Sequence, residues 1–250
     1  MIDKYLSFKF FIKKFIPPAI WDYVRFLNYK FFKFGNFAPY DIDNKLKKYL
    51  NYKYGFFIEL GANDGYTESN TLTLENKKSW RGILIEPSPN QFLTCNYHRS
   101  KPGNYIFCNA CVPFNYKEKY VDIEYANLMS VSSSLKSDLN DVTKHLISGR
   151  DHLTHFAKSI RFGSIARTLD SILDECDAPK LIDFLSLDVE GAELSVLYGI
   201  NFDKYKFKYL LIECRKVKKI ESFLKKHGYK IIEKLTHHDY LFASQSSNLN

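Results

Sequence analysis

Phe57-Ile58-Glu59-Leu60-Gly61-Ala62-Asn63-Asp64-Gly65 is the stretch from which the architecture can be read. A short apolar run with one embedded acid ends abruptly at two glycines, the pattern of a buried strand running into a loop. Gly61 and Gly65 let the backbone turn sharply and come close to a ligand. In doubly wound sheets, ligands lie in that position, beyond the carboxyl ends of the strands. The glycine spacing is Gly-x-x-x-Gly and departs from the dinucleotide pattern Gly-x-Gly-x-x-Gly.

Outward from this stretch, strand-like and helix-like runs alternate. Upstream, Ile42, Leu46, Tyr49 and Leu50 have helical spacing. Downstream, Ser69–Asn76 can form a helix, Gly82–Ile85 is a second strand, and Ser88 with Pro89 starts a helix that reaches Tyr97. Tyr105–Cys108 is a third strand. Val112–Arg167 is the least regular region: Val121–Tyr125 alternates as a strand does, and Ser130–Asp141 is rich in Ser and Asp. The rhythm resumes with a short helix over Asp170–Cys176, a strand at Phe184–Leu187, a helix at Ala192–Tyr198, a strand at Tyr209–Glu213 and a helix at Lys216–Lys226. Such alternation predicts an α/β fold, a mainly parallel sheet with helices on both faces. Tyr229–Leu235 and Tyr240–Ala243 are separated only by Thr236-His237-His238-Asp239. A parallel crossover needs about a dozen residues, so these two runs form an antiparallel C-terminal hairpin. The expected organisation is a helical N-terminal extension over residues 1–50 and one domain over 51–250, with an insertion at about 112–167 on the substrate side.

Charge selects among ligands. Glu59 precedes the loop and Asp64 lies within it, so a pyrophosphate would meet repulsion. S-adenosylmethionine has no phosphate and carries an ammonium and a sulfonium, which such acids favour over NAD. Glu86 ends the second strand, 25 residues after Gly61. An acid there accepts hydrogen bonds from ribose hydroxyls, a feature common to both cofactors.

Six blocks carry a resemblance. They are Ile58–Gly65, Ser69-Asn70-Thr71, Trp80–Pro87, Asn109-Ala110, Thr168–Leu173 and Leu187–Leu194, whose core is Asp188-Val189-Glu190-Gly191-Ala192-Glu193. In that order, over about residues 55–243, they resemble the FkbM-type S-adenosylmethionine-dependent methyltransferase family. The resemblance implies a Rossmann-like methyltransferase fold with a seven-stranded sheet, and O-methylation of sugars, polyketides or related metabolites. It implies that Glu59, Gly61, Asn63 and Asp64, in the loop closed by Gly65, hold the amino-acid part of the cofactor. Glu86 takes the ribose, and Asn109 and Ala110 lie beside the adenine. Cys108 and Cys111 depart from the family pattern and create a Cys-x-x-Cys. This reads as packing, because a zinc site wants four ligands and no second pair exists.

Methyl transfer to a hydroxyl needs an aligned oxygen and a proton acceptor. Asp188 and Glu190, at the end of the fourth strand of the main sheet, are the candidate catalytic pair. They can act as base and orienter, or as two ligands of a divalent metal; no metal-ligand set is assigned. The bland alternative is that Asp188 binds the cofactor's ammonium and Glu190 caps the next helix. Glu213, ending the fifth strand, is a weaker candidate. His237, His238 and Asp239 read as an exposed turn at the sheet's far edge, and His98 and Arg99 receive no role.

The formal net charge is +8, from 36 Lys+Arg and 28 Asp+Glu. Residues 1–34 hold seven basic and two acidic residues, +5, which leaves +3 for the rest of the chain. A nucleic-acid binder more often carries its basic stripe on the folded body, and no Asn-Pro-Pro-Tyr-type block follows the fourth strand, so no nucleic-acid partner is expected. The same 34 residues contain twelve aromatics and read as amphipathic helices broken at Pro17-Pro18. They suit peripheral contact with a membrane's inner face, or packing on the domain or on a second subunit. The run Phe15–Trp21 is too short for a signal-peptide core or a membrane span, and five irregularly spaced cysteines suit a reducing compartment. The expected setting is therefore cytoplasmic, with a small-molecule or lipid-linked glycan as acceptor. The rival readings are an NAD-dependent sugar oxidoreductase and a non-catalytic binding module.

Overall fold

The first strand, β1 (Phe56–Leu60), is buried at every position, as a central strand covered on both faces must be. The computed structural model describes residue 20 and residues 37–126, 129–139, 141–150 and 160–244. The helices expected within residues 1–34 thus fall, apart from Ile20, outside the described residues. On one side β1 pairs in parallel with β2 (Arg81–Ile85), which pairs with β3 (Tyr105–Phe107). On its other side stands β8 (Leu181–Leu187), followed by β9 (Lys206–Glu213), both parallel. The chain therefore reverses its direction of travel across the sheet between β1 and β8, the switch point where open sheets bind ligands. The hairpin of β10 (Tyr229–Lys234) and β11 (Asp239–Ser244) closes the seven-stranded sheet, with β11 antiparallel to both β10 and β9.

Side chains alternate across a strand, and β1 accordingly feeds two cores. Phe56, Ile58 and Leu60 pack with α5 (Leu169–Glu175), α6 (Glu193–Leu197) and α7 (Val217–Lys226) through Ile172, Leu197 and Leu224. Phe57 points the other way, into a cluster with α1 (Ile42–Leu50), α2 (Leu72–Lys78) and α3 (Pro89–Arg99). Helices thus cover both faces. Helix α1 contributes Ile42, Leu46 and Leu50 to this second core, so the boundary expected at residue 50 falls inside a packed unit.

The irregular region holds a second, four-stranded sheet of β4 (Ala110–Cys111), β5 (Tyr120–Glu124), β6 (Val131–Ser132) and β7 (Arg161–Arg167), together with α4 (Val142–Arg150). Strand β5 turns Val121 and Ile123 inward in strict alternation. Strand β7 was not expected. Its sequence, Arg-Phe-Gly-Ser-Ile-Ala-Arg, is flanked by charge and interrupted by Gly163, and only pairing with β4 and β5 fixes it as a strand.

Candidate active site

A cavity opens at the carboxyl ends of β1, β2 and β8, roofed by the small sheet. Gly61, Asn63, Glu86, Asn109, Ala110, Asp188 and Glu190 are on its wall. The switch point thus brings together seven of the ten residues expected from the sequence. Gly61 has φ +79°, and a Cβ there would lie 1.8 Å from the Asp188 carbonyl oxygen, so the loops after β1 and β8 touch at this glycine. Glu86 is buried, with its two carboxylate oxygens accepting the backbone N–H groups of Asn63 (2.8 Å) and Ser88 (2.9 Å). Burial pushes its pKa up to about 7 against those two hydrogen bonds. The Asn109 side chain donates to the Ile165 carbonyl (3.1 Å), which ties this part of the cavity wall to β7.

Glu59, Asp64 and Gly65 are absent from the wall, Glu59 because of strand alternation. Glu59 follows Phe57 onto the face of α2 and α3, where its carboxylate accepts Ser69 Oγ (2.9 Å), Thr71 Oγ1 (2.6 Å) and the Asn70 N–H (2.8 Å). Asp64 closes its own loop by accepting the N–H groups of Tyr66 (2.9 Å) and Thr67 (2.6 Å). The centre of this arrangement is Arg99, 0 % exposed. It donates to Glu75 (2.8 Å), the Gly65 carbonyl (2.9 Å), Ser69 Oγ (3.1 Å) and Thr71 Oγ1 (3.0 Å), and lies 3.6 Å from Glu59. A buried guanidinium thus holds residues 59–75 in place behind the cavity. Its five donors in a fixed fork suit this bridging task. No local pattern in the sequence distinguished Arg99 from a surface residue at a helix end.

Acids gather at the ends of β8 and β9. Carboxylate oxygens of Asp188, Glu190 and Glu213 lie within 4.8 Å of one another; bare carboxylates at that spacing repel by about 3–4 kcal/mol per pair. Burial first, then Glu213 and Glu190, push the Asp188 carboxyl well above the ordinary range. Its Oδ1 is buried without a hydrogen-bond partner. Glu193 is buried and accepts the Val189 and Gly191 N–H groups, with a pKa raised to about 8 chiefly by burial. Glu193, and not Glu190, thus folds back onto the turn. One guanidinium balances the group: Arg215 Nη2 lies 3.3 Å from Glu190 and 3.5 Å from Glu213. The insertion reaches the same place. Asp138 accepts the N–H groups of Arg215 (2.8 Å) and Lys216 (3.1 Å), its own N–H donates to the Gly191 carbonyl (2.9 Å), and His145 on α4 lies 2.9 Å from Glu190.

The remaining candidates have plain places. Cys111 is buried on the cavity wall, with its thiol pushed up to about 12 by burial, and Cys108 is half-buried beside the Pro87 carbonyl (3.9 Å). Both are free thiols. His237 and His238 are exposed. The turn that holds them joins β10, the strand at the sheet's edge, to β11, and Asp239 pairs in register with Glu213.

This geometry fits a phosphate-free cationic nucleoside. Glu86 and the Gly61 loop share one cavity wall with the acids Asp188 and Glu190. Among the described residues, no helix is long and apolar enough to cross a membrane.

No curated protein matches the chain. Three solved structures resemble it at low identity. One is TrmK of M. capricolum in complex with S-adenosylhomocysteine: 11% identity, TM-score 0.39, 80% of this chain and 66% of that one, just under two thirds. Another is Precorrin-6y C5,15-methyltransferase from Geobacter metallireducens GS-15: 10% identity, TM-score 0.42, with 80% and 85% covered. A third is a SAM-dependent methyltransferase from Thiobacillus denitrificans in complex with S-adenosyl-L-homocysteine: 10% identity, TM-score 0.34, with 87% and 73% covered. The family assignment rests on none of these. The profile of the Methyltransferase FkbM domain matches residues 59–231, from the tip of β1 into β10 and well over half of the sequence, and on that match the chain belongs to the FkbM family of S-adenosylmethionine-dependent methyltransferases.

Proposed function

We propose that the protein methylates a hydroxyl of a sugar or glycan precursor. The observation that carries this reading is a single cavity whose wall holds both Glu86 with the Gly61 loop and the acids Asp188 and Glu190. Gly61 and Asn63 would hold the amino-acid end of S-adenosylmethionine, Glu86 its ribose, and Asn109 with Ala110 its adenine. Bound there, the cofactor supplies a methyl carbon that its sulfonium has already activated. The chain's part is to line up the acceptor oxygen and take its proton. A sugar hydroxyl is weakly acidic, so a base is needed, and Asp188 and Glu190 are the groups in position. Ser130 and Ser132 of the insertion add hydroxyls to the same lining. The basic, aromatic residues 1–34 support an acceptor carried on a lipid at a membrane's inner face, which would place the enzyme in the cytoplasm.

The test is transfer of labelled methyl from S-adenosylmethionine to free, nucleotide-linked and lipid-linked sugars, with the product's O-methyl located by mass spectrometry. Label on nitrogen or carbon would overturn the hydroxyl assignment. Tight NAD binding with no response to S-adenosylhomocysteine would favour the oxidoreductase. Unchanged cellular function after Asp188→Asn with Glu190→Gln would favour a binding module.

A further inference from the structure

We propose that Asp138 is a positioning residue for the transfer reaction: it pins the strap of the insertion that forms the acceptor-side wall onto the turn carrying Asp188 and Glu190, and so sets where the acceptor lies. The inference rests on the reading of Asp188 and Glu190 as acceptor-side residues.

Residues 130–138 run along the cavity, with Ser130, Ser132 and Leu135 on its wall. The near end of this strap belongs to the small sheet. Val131 and Ser132 pair with Glu124 and Ile123, and the Ser133 N–H donates to the Asp122 carbonyl (2.9 Å). Between the ends lies a local turn, in which the Leu135 N–H donates to Ser132 Oγ (3.1 Å). The far end is held by Asp138. Its N–H donates to the Gly191 carbonyl (2.9 Å), and its Oδ2 accepts the N–H groups of Arg215 (2.8 Å) and Lys216 (3.1 Å). One residue thus joins the insertion to the turns after β8 and β9.

The junction is matched from both sides. Gly191 has φ +100°, and a Cβ there would lie 2.5 Å from Ser137 Oγ and 3.1 Å from Leu139 Cγ. Glycine is what lets the strap lie so close to the turn. On the other side, the two N–H groups stand at the start of α7, whose N-cap residue, Lys216, makes no side-chain cap of its own. Donors at a helix start want an acceptor, and an acid there is favoured by the helix dipole. Asp138 supplies it from 77 positions away.

Asp138 is not among the residues on the cavity wall, so it acts through others. It fixes the strap that bears Ser130, Ser132 and Leu135. It also fixes the backbone of Arg215, whose Nη2 lies 3.3 Å from Glu190. Wall and acid are thereby registered to each other, and misplacing an acceptor by about 1 Å can cost a hundredfold in rate. Gly61, Asn63 and Glu86 follow β1 and β2, and the cofactor half of the cavity does not depend on this junction.

The experiment compares the full chain with Asp138→Ala and with Asp138→Asn, which keeps an accepting oxygen. Hydrogen–deuterium exchange read by mass spectrometry should quicken about tenfold or more over residues 130–139 in Asp138→Ala, and less in Asp138→Asn. S-adenosylhomocysteine affinity, which reports that each variant is folded, should change less than about threefold. With the acceptor that labelled methyl transfer identifies, Asp138→Ala should raise the acceptor KM about tenfold or more and leave the KM for S-adenosylmethionine within about threefold, with much of the difference recovered in Asp138→Asn. A residue that merely stabilised the fold would move both KM values together. Unchanged exchange in folded Asp138→Ala, an unchanged acceptor KM despite a loosened strap, or equal changes in the two KM values overturns the proposal. The exchange measurement needs no acceptor, so its failure strikes this inference alone. Label found on an acceptor other than a sugar strikes the proposed substrate and leaves the role of Asp138 standing.

Discussion

Replacing Arg99 by Met tests the claim that a buried guanidinium builds the cofactor loop from behind. Methionine keeps the length and the apolar stem but deletes the charge and all donors. Four hydrogen bonds disappear, to Glu75, the Gly65 carbonyl, Ser69 and Thr71, along with the ion pairs to Glu75 and Glu59. Removing one partner of a buried ion pair costs about 3–5 kcal/mol, because the other charge is stranded. Here Glu75 keeps Lys101 and Asn104, and Glu59 keeps Ser69, Asn70 and Thr71. The lower end, about 3 kcal/mol, is therefore expected. For a domain of this size that is a fall in melting temperature of about 6–12 °C. The loss should also depend on pH. Burial pushes the Glu75 carboxyl up, but Arg99 and Lys101 outweigh it and hold the group below its ordinary 4.5. A depressed acid stabilises the fold above its unfolded pKa, and that stability fades as pH falls through the folded pKa. The deficit of Arg99→Met should thus be full at neutral pH and shrink in acid, where the stranded Glu75 carboxylate takes up a proton. Urea unfolding at several pH values measures it, with calorimetry of S-adenosylhomocysteine reporting the loop. Adding Glu75→Gln should recover part of the loss by removing one stranded charge. A deficit below about 1 kcal/mol, or one that does not change with pH, would refute the account.

Four other outcomes follow from the same geometry. Gly61→Ala puts a Cβ 1.8 Å from the Asp188 carbonyl at φ +79° and should cost about 1–3 kcal/mol from the backbone conformation alone; calorimetry should find S-adenosylhomocysteine binding lost, and wild-type affinity would contradict the contact between the two loops. Glu86 has its pKa raised by burial from 4.5 to about 7. The unliganded fold should therefore lose stability as pH rises between those values. Affinity for S-adenosylhomocysteine should increase from pH 6 to pH 8, with proton release, and Glu86→Gln should flatten that dependence. Asp188→Asn should lower kcat by about a hundredfold or more while S-adenosylhomocysteine affinity changes less than about tenfold; an equal loss in both would make Asp188 a cofactor ligand and no base. Deleting residues 1–34 should release the protein from anionic lipid vesicles in a flotation assay, and undiminished flotation would count against the arm as the membrane contact.

The main sheet was legible because its strands are short, apolar and fenced by glycine and proline. β1, β2, β8 and β9 each read as buried runs, and the four-residue turn left the hairpin no parallel option. Strand ends drifted where charge obscured them: β9 begins at Lys206, not Tyr209, because Lys206 and Lys208 are tolerated at the sheet's rim, Lys208 by pairing with Asp183 (2.6 Å). The small sheet was only half legible. β5 alternates clearly, whereas β6 has two residues and β7 takes its form from its neighbours. In such strands pairing, and not intrinsic preference, sets the conformation.

For the site, the limit was direction. A spacing rule places Glu59, Asp64 and Glu86 in one neighbourhood, but only the pleat says which way each points. Glu59 lies one residue from Leu60 on the cavity wall, and the alternation of β1 turns its carboxylate toward Arg99. Glu190, Glu193 and Glu213 are all acids near the ends of strands, and their tasks separate only once partners are known. Glu193 takes two backbone N–H groups of its own turn, while Glu190 and Glu213 share Arg215. His145 and Arg215 carry no motif, since each acquires its meaning from a segment distant in sequence. The physical reason is general to the site. Like charges are brought together at strand tips by backbone geometry, which is local and legible. What makes their proximity tolerable is a set of counter-charges drawn from elsewhere, Arg99 behind the wall and Arg215 in front of it, and long-range pairing of that kind leaves no periodic trace in the chain.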